Sequence, residues 1–290
     1  MPQDPHPRPL RSVLFVPAVN ARALAKAAGL ACDAVIVDCE DAVAPARKDE
    51  ARETACAAVA GLRAPGRAVA LRVNAVGTSW HRDDVDAVAA ARPDAVVLPK
   101  ADAASVEALS AALDRAGARE ARVWPMVETP AGVLDARAIA GASPRVEALL
   151  VGTNDLAAEL RVAPAQGRGP LLHALGAVVL AARASRVGAV DGVFNAIDDP
   201  AGFAAECAQG ASLGFDGKTL IHPAQVEAAN GAFSPSPDRV AWARRVVSAF
   251  ATDPGAGVLT VDGSLVEHLH LREARRLLAI AERVYPSPDG

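Results

Sequence analysis

Val35-Ile36-Val37-Asp38-Cys39-Glu40-Asp41 and Val69-Ala70-Leu71-Arg72-Val73-Asn74 each run from a short apolar stretch into residues that carry chemistry. The pattern repeats along the chain. Ala95-Val96-Val97-Leu98-Pro99-Lys100 ends on a lysine, Val123-Trp124-Pro125-Met126-Val127-Glu128 on a glutamate, and Leu149-Leu150-Val151-Gly152-Thr153-Asn154-Asp155 on an aspartate. Near-continuous apolar runs of this length suit strands buried on both faces, as in parallel sheets. Barrels of alternating strands and helices gather their active sites at the carboxyl ends of such strands. Working outward, eight strands are predicted at 12–18, 34–40, 68–74, 95–100, 122–128, 148–155, 191–197 and 215–222. Helical patterns fill the gaps at 22–28, 49–62, 82–91, 105–116, 131–140, 171–185 and 203–213. Asp49 and Ser105 are read as N-caps, Gly117 and Gly214 as stops. The count is that of an α/β chain folded as a (β/α)8 TIM barrel, with a doubly wound open sheet as the rival.

The bulk properties agree. A chain of 290 residues accommodates one barrel of roughly 250 residues. Half the chain is hydrophobic (51%), while an aromatic content of 3% leaves little for base stacking and a net charge of −4 with no basic block argues against nucleic acid. No apolar run approaches the roughly 20 residues that span a bilayer, and the start lacks an apolar signal core, so a cytoplasmic chain is expected. The cysteines (Cys32, Cys39, Cys56 and Cys207) form neither a CxxC pair nor a zinc ribbon and read as small buried residues, Cys39 being nearest a strand tip.

Residues 1–9 are read as a disordered tail, 10–232 as the barrel and 233–290 as a C-terminal helical extension. The extension begins at the break Phe233-Ser234-Pro235-Ser236-Pro237, with helices expected at 238–252 and 271–284 and a short strand at 258–261. It is longer than a barrel needs, so it is expected to pack on the barrel or to reach across a subunit interface.

Glu128 and Asp155 end adjacent predicted strands, so their carboxylates can converge above the rim. Two carboxylates without His or Cys companions suit a hard cation such as Mg²⁺, the alternative being a pair of solvated or salt-bridged loop acids. Arg72 offers a planar fork for a carboxylate or enolate oxygen, or a structural salt bridge to Glu40 or Asp41. Lys100 is read as electrostatic or structural, against a Schiff-base role. Gly152, Thr153 and Asn154 would bring backbone amides close to a ligand, and Asn74 stands beside Arg72 at the third tip. Lys218 precedes most of its apolar run and is placed toward the barrel bottom; His222 is as readily packed as catalytic.

The chain resembles the citrate lyase β-subunit-like family of the HpcH/HpaI aldolase group. The motifs are Arg11-Ser12-Val13-Leu14-Phe15-Val16-Pro17, Asp38-x-Glu40-Asp41-Ala42-Val43, Arg72-Val73-Asn74, Leu98-Pro99-Lys100, Glu128-Thr129-Pro130-x-Gly132, Gly152-Thr153-Asn154-Asp155-Leu156 and Gly217-Lys218-x-x-Ile221-His222-Pro223. The resemblance implies a Mg²⁺-dependent carbon–carbon lyase that cleaves or forms a β-hydroxyacyl thioester such as malyl-CoA or citramalyl-CoA, giving an acyl thioester and a 2-oxo acid. The metal would be held by Glu128 and Asp155, and Arg72 would bind substrate oxygens with Glu40, Asp41 and Lys100 behind it. It also implies a homo-oligomer, often a trimer, and a tail acid serving a neighbouring site. In CoA-cleaving relatives that acid is the aspartate of Gly-[Lys/Ser]-Met-Ile-Asp. Here Gly263-Ser264-Leu265-Val266-Glu267 matches, making Glu267 the first candidate and Asp262 the second. The substitution keeps three alternatives open: a malyl-CoA-type thioesterase, a CoA-independent 2-oxo acid aldolase, and a non-catalytic β-subunit-like binding protein. Arg22, Lys26 and Arg47 are candidates for the phosphates of CoA.

Overall fold

A computed structural model of the chain describes residues 8–162 and 168–285. Eight parallel strands, each hydrogen-bonded to the next, form a closed barrel. They are β1 (Ser12–Pro17), β2 (Ala34–Asp38), β3 (Ala68–Arg72), β4 (Ala95–Leu98), β5 (Arg122–Val127), β6 (Ala148–Val151), β7 (Gly188–Asp191) and β8 (Gly217–Leu220). Among the described residues, ten α-helices punctuate the same stretch of chain. They are α1 (Ala21–Ala28), α2 (Lys48–Leu62), α3 (His81–Ala91), α4 (Ala103–Arg115), α5 (Pro130–Leu134), α6 (Ala136–Gly141), α7 (Thr153–Glu159), α8 (Leu172–Ser185), α9 (Pro200–Leu213) and α10 (Val226–Ala232). The fold is the expected (β/α)8 barrel.

Strand alternation decides which side chains face the lumen. Val13, Ile36, Ala70, Val97, Trp124, Met126, Leu150 and Val190 form one buried cluster inside the barrel, while Val35, Leu71, Leu98 and Leu149 belong to a second cluster between sheet and helices. Most interior positions are small, and Trp124, fully buried, supplies bulk while its indole N–H donates to Glu147 Oε2 at 2.8 Å. The period of two then carries the lumen face upward: two residues beyond Ile36, Ala70 and Met126 stand Asp38, Arg72 and Glu128. The register places Asp38 directly beside Arg72.

Closure depends on Gly217. A Cβ there would lie 1.7 Å from the Leu10 carbonyl oxygen, so only glycine lets β8 pass the entry to β1. Its neighbour Lys218 pairs in register with Ser12, the first residue of β1, near the amino-terminal end as expected. The Lys218 side chain turns outward beneath α9, where its Nζ meets Asp191 Oδ2 at 3.0 Å and Glu206 Oε1 at 2.7 Å. Arg168 joins the same buried group through Asp191 at 2.7 Å and Glu206 at 3.2 Å.

Several boundaries differ from those read in the sequence. The stretch expected as a strand at 191–197 leaves the sheet at Asp191, because the apolar Val193 and Phe194 belong to the exit loop rather than to the barrel wall. Asp155 is not a strand-end residue: β6 stops at Val151 and Asp155 lies in the first turn of α7, where a carboxylate complements the helix dipole. Ser105 is the third residue of α4 rather than its N-cap. Asp102 caps the helix by accepting from Ser105 N–H, and Ser105 Oγ accepts in return from Asp102 N–H. Asp49 sits inside α2, which a short 3₁₀ turn at Pro45–Arg47 starts one residue earlier. Gly214 ends α9 in the left-handed conformation, as expected.

Residues 234–285 make a second compact unit. Helix α11 (Pro237–Thr252), the antiparallel hairpin β9 (Val258–Val261) and β10 (Ser264–Glu267), and α12 (His268–Val284) enclose their own core of Val246, Phe250, Val261, Val266, Leu271 and Leu277. Asp262 and Gly263, both at positive φ, form the two-residue turn, the Asp-Gly pair that such hairpins favour. The tail read at 1–9 lies, for its first seven residues, outside the described chain. Among the described residues no helix is long and apolar enough to cross a membrane.

Candidate active site

Arg72 is the centre of the tip cluster. Its Nε and Nη2 donate to Asp38 Oδ1 and Oδ2 at 2.7 and 2.6 Å, a bidentate pair, and its Nη1 lies 2.9 Å from Glu40 Oε2. The Phe15 ring lies 4.9 Å from the guanidinium carbon and covers one face. Burial works against the cation, but the Asp38 bonds and the charges of Asp38, Glu40 and Asp41 outweigh it, holding Arg72 above its ordinary range. A guanidinium carries five N–H donors. Asp38 takes the Nε N–H and one on Nη2, and Glu40 stands as an ion pair beside Nη1, so Nη1 and Nη2 each keep an N–H for a ligand.

Glu128 follows β5 and is almost wholly buried. Lys100, in the left-handed region at φ 49°, turns its backbone N–H toward Glu128 and donates to Oε1 at 2.6 Å. Burial pushes the Glu128 carboxyl up to about 7, against the pull of that N–H bond, and the neighbouring charges of Asp155 and Glu40 add to the push. The structure therefore gathers acids that repel one another in a poorly solvated place, which is what a bound cation relieves. All of the donors are oxygen, and among the described residues no three His, Cys, Asp or Glu side chains converge on one point. A cation held by a carboxylate pair completes its shell with water or substrate oxygens, so the donor set fits Mg²⁺. Gly152 makes room for this: a Cβ on it would lie 2.3 Å from Glu128 Oε2.

The remaining predicted residues divide by what they touch. Lys100 Nζ meets Glu40 Oε1 at 3.1 Å; burial alone would lower the ammonium, but the Glu40 bond and charge, with Asp41 and Glu128 behind, hold it above its ordinary value. A lysine kept charged is a poor imine nucleophile. Asp41 is more exposed and lies 3.8 Å from Arg72 Nη1. Asn74, expected beside the substrate, is buried with its amide turned inward. It donates from Nδ2 to Asp84 Oδ2 at 2.7 Å and accepts at Oδ1 from Lys48 Nζ at 2.7 Å. Thr153 is buried and would clash with any Cβ on Gly192. Asn154 exchanges amide bonds with Asn195, tying the β6 and β7 exits together. His222 caps the 3₁₀ turn after β8 by accepting from Ala224 N–H at 3.3 Å. Cys39 is inert, its thiol pushed up to about 12 by burial and by the charges of Asp84 and Asp38. Arg22, Lys26 and Arg47 are exposed, and Arg47 is paired with Glu50.

Asp38, the main partner of Arg72, was missed as a site residue in the sequence, although parallel register alone sets it beside Arg72. Lys48, Asp84 and Phe15 were missed too, since they act from a neighbouring helix or strand and no motif marks them.

In the second unit, Asp262 is bound at the hairpin turn by Arg245, whose Nη2 lies 2.7 Å from Oδ2. Glu267 closes β10 at the entry to α12, exposed, and its backbone N–H donates to His270 Nδ1 at 3.0 Å.

A sequence profile of the HpcH/HpaI aldolase/citrate lyase family matches residues 11–223, the span of the barrel. The chain belongs to this family. Over 279 residues it is 46% identical to the (3S)-malyl-CoA thioesterase of Cereibacter sphaeroides (strain ATCC 17029 / ATH 2.4.9), covering 95% of this chain and 96% of that one. It is 34% identical over 311 residues to an L-malyl-CoA/beta-methylmalyl-CoA lyase from Cereibacter sphaeroides (strain ATCC 17025 / ATH 2.4.3), covering 97% and 98%. Among solved structures, the protein CitE of Mycobacterium tuberculosis in complex with magnesium, acetoacetate and coenzyme A superposes with a TM-score of 0.76 at 34% identity, covering 93% of this chain and 97% of that one. Family membership rests on sequence and fold together.

Proposed function

We propose that this HpcH/HpaI-family chain is a Mg²⁺-dependent enzyme of malyl-CoA-type β-hydroxyacyl thioesters, and that its reaction is hydrolysis of the thioester. One observation carries hydrolysis over carbon–carbon cleavage: 46% identity along nearly the whole chain with a thioesterase, against 34% with a lyase. The geometry supports the shared chemistry. Glu128 and Asp155 would hold the metal, and Mg²⁺ bound there supplies a Lewis acid that favours a hydroxy-carboxylate ligand. Arg72, its plane fixed by Asp38 and Phe15, offers its two remaining N–H groups to the substrate's oxygens as negative charge develops. Lys100 adds positive field without giving up its proton. Water adds to the thioester carbonyl carbon, the C–S bond breaks, and the proton from water ends on the departing thiolate. Glu267 is our proposed proton-carrying acid for the site of a neighbouring copy, because the Asp262 carboxylate is occupied by Arg245. We extend the proposal to a cytoplasmic homo-oligomer, a trimer by the family resemblance.

Carbon–carbon cleavage is the second reading. It is favoured by the end-to-end match with the lyase and by an arginine placed to receive an enolate oxygen. Mass spectrometry of the products from malyl-CoA separates the two. Free CoA and malate in equal amounts are expected; acetyl-CoA and glyoxylate would overturn hydrolysis and leave the site assignment standing.

A further inference from the structure

Lys48 is the first residue of α2, where a cation opposes the helix dipole at a cost of about 0.3–1 kcal/mol. It is also buried, 6% exposed. Both features run against local preference, and such exceptions concentrate where a structure serves function. The ammonium has three donors, and all three are used: Cys39 O at 2.9 Å, Glu40 O at 2.7 Å and Asn74 Oδ1 at 2.7 Å. The Trp80 ring lies over it at 5.2 Å. No donor is left for a ligand, so Lys48 acts through what it holds.

What it holds is the frame of Arg72. Cys39 and Glu40 are the two residues after β2, and the Glu40 carboxylate contacts both Arg72 Nη1 and Lys100 Nζ. Asn74 stands two residues past Arg72 on the β3 exit, and Asp84 on α3 fixes its other side through the Asn74 N–H and Nδ2, each at 2.7 Å. One ammonium therefore ties together the two exit loops that aim the guanidinium. We propose that Lys48 is a positioning residue for Arg72, setting the direction of the two N–H groups that Arg72 presents to substrate; this rests, for its kinetic consequence alone, on the function proposed above.

The test is site-resolved labelling with phenylglyoxal, which reacts with accessible guanidinium groups, followed by peptide mass spectrometry. It is run on the wild-type chain and on Lys48→Met and Lys48→Arg, with Arg11 and Arg168 as internal references for buried arginines. In Lys48→Met, labelling of Arg72 is expected to rise about tenfold through local opening while Arg11 and Arg168 keep their wild-type rates. Lys48→Arg keeps the charge but not the threefold donor geometry, and an intermediate rise is expected if Lys48→Met does not fold. Equal rises at all three arginines, or none at Arg72, would overturn the proposal. In the same variants KM for malyl-CoA rises about tenfold with a smaller change in kcat, because substrate anchoring is what is lost. Should the wild-type chain leave malyl-CoA untouched, the functional proposal fails while the labelling still decides the role of Lys48.

Discussion

At the residue scale the site is governed by how burial and charge are arranged around Glu128 and Arg72. Glu128 is held above its ordinary value of 4.5, at about 7. The sign follows from that direction. Proton binding favours the folded state of this carboxyl, so its contribution is fully present below about pH 4.5 and is lost as pH rises through about 7. A cation competes with that proton, so the apparent affinity for Mg²⁺ is expected to be about tenfold weaker at pH 6 than at pH 8. Calorimetric titration at the two values checks this, and pH-independent affinity would remove Glu128 from the metal's ligands. Gly152→Ala addresses the same carboxylate by geometry. Its Cβ would enter the space of Glu128 Oε2, so the side chain must move. Overpacking of this kind costs about 1–3 kcal/mol, and weakened Mg²⁺ binding is expected in a protein that still folds. Unchanged metal affinity with Glu128 displaced in a crystal structure would contradict the assignment.

At the scale of elements, the barrel was legible because its strands are near-uniform apolar runs, and a run ending in a charged residue marks a tip. Arg72 and Glu128 follow from the period of two along β3 and β5, whereas Asp38, which the same period sets on β2 beside Arg72, was passed over. What was not legible depends on contacts between elements. The apolar Val193 and Phe194 extended β7 in the sequence, but the sheet ends at Asp191, whose carboxylate accepts from Gly192 N–H at 2.8 Å and turns the chain. Asn74 looked like a ligand contact from its place beside Arg72, yet Asp84 and Lys48, distant in sequence, turn its amide away. The hairpin of β9 and β10 was half read: Val258–Val261 was expected, while its Asp-Gly turn and returning strand went unrecognised. Lys218 is the clearest case of a motif residue whose task is the fold. Its ion pairs with Asp191 and Glu206 are buried and lie beneath α9, outside the lumen. Lys218→Met leaves those two acids to share Arg168 alone, and a loss of about 3–5 kcal/mol in urea unfolding is expected. KM of the folded fraction should stay at its wild-type value; a large rise in KM at unchanged stability would place Lys218 in the site instead.

At the scale of the whole molecule, the chain comprises a barrel whose rim concentrates acids around one fixed arginine and a separately cored unit of two helices and a hairpin. The chain's similarity to malyl-CoA enzymes runs through both units, since the matched relatives cover 95% or more of it. On the proposed function, Glu128 and Asp155 make turnover of a malyl-CoA-type thioester depend on Mg²⁺. The most direct measurement is release of free thiol from malyl-CoA across a Mg²⁺ titration, comparing the wild-type chain with Glu128→Gln and Asp155→Asn. Saturable activation is expected in the wild type, abolished by a chelator, with a loss of at least about 100-fold in both variants at every metal concentration. Full thiol release in the presence of the chelator, or wild-type rates in either variant, would contradict it.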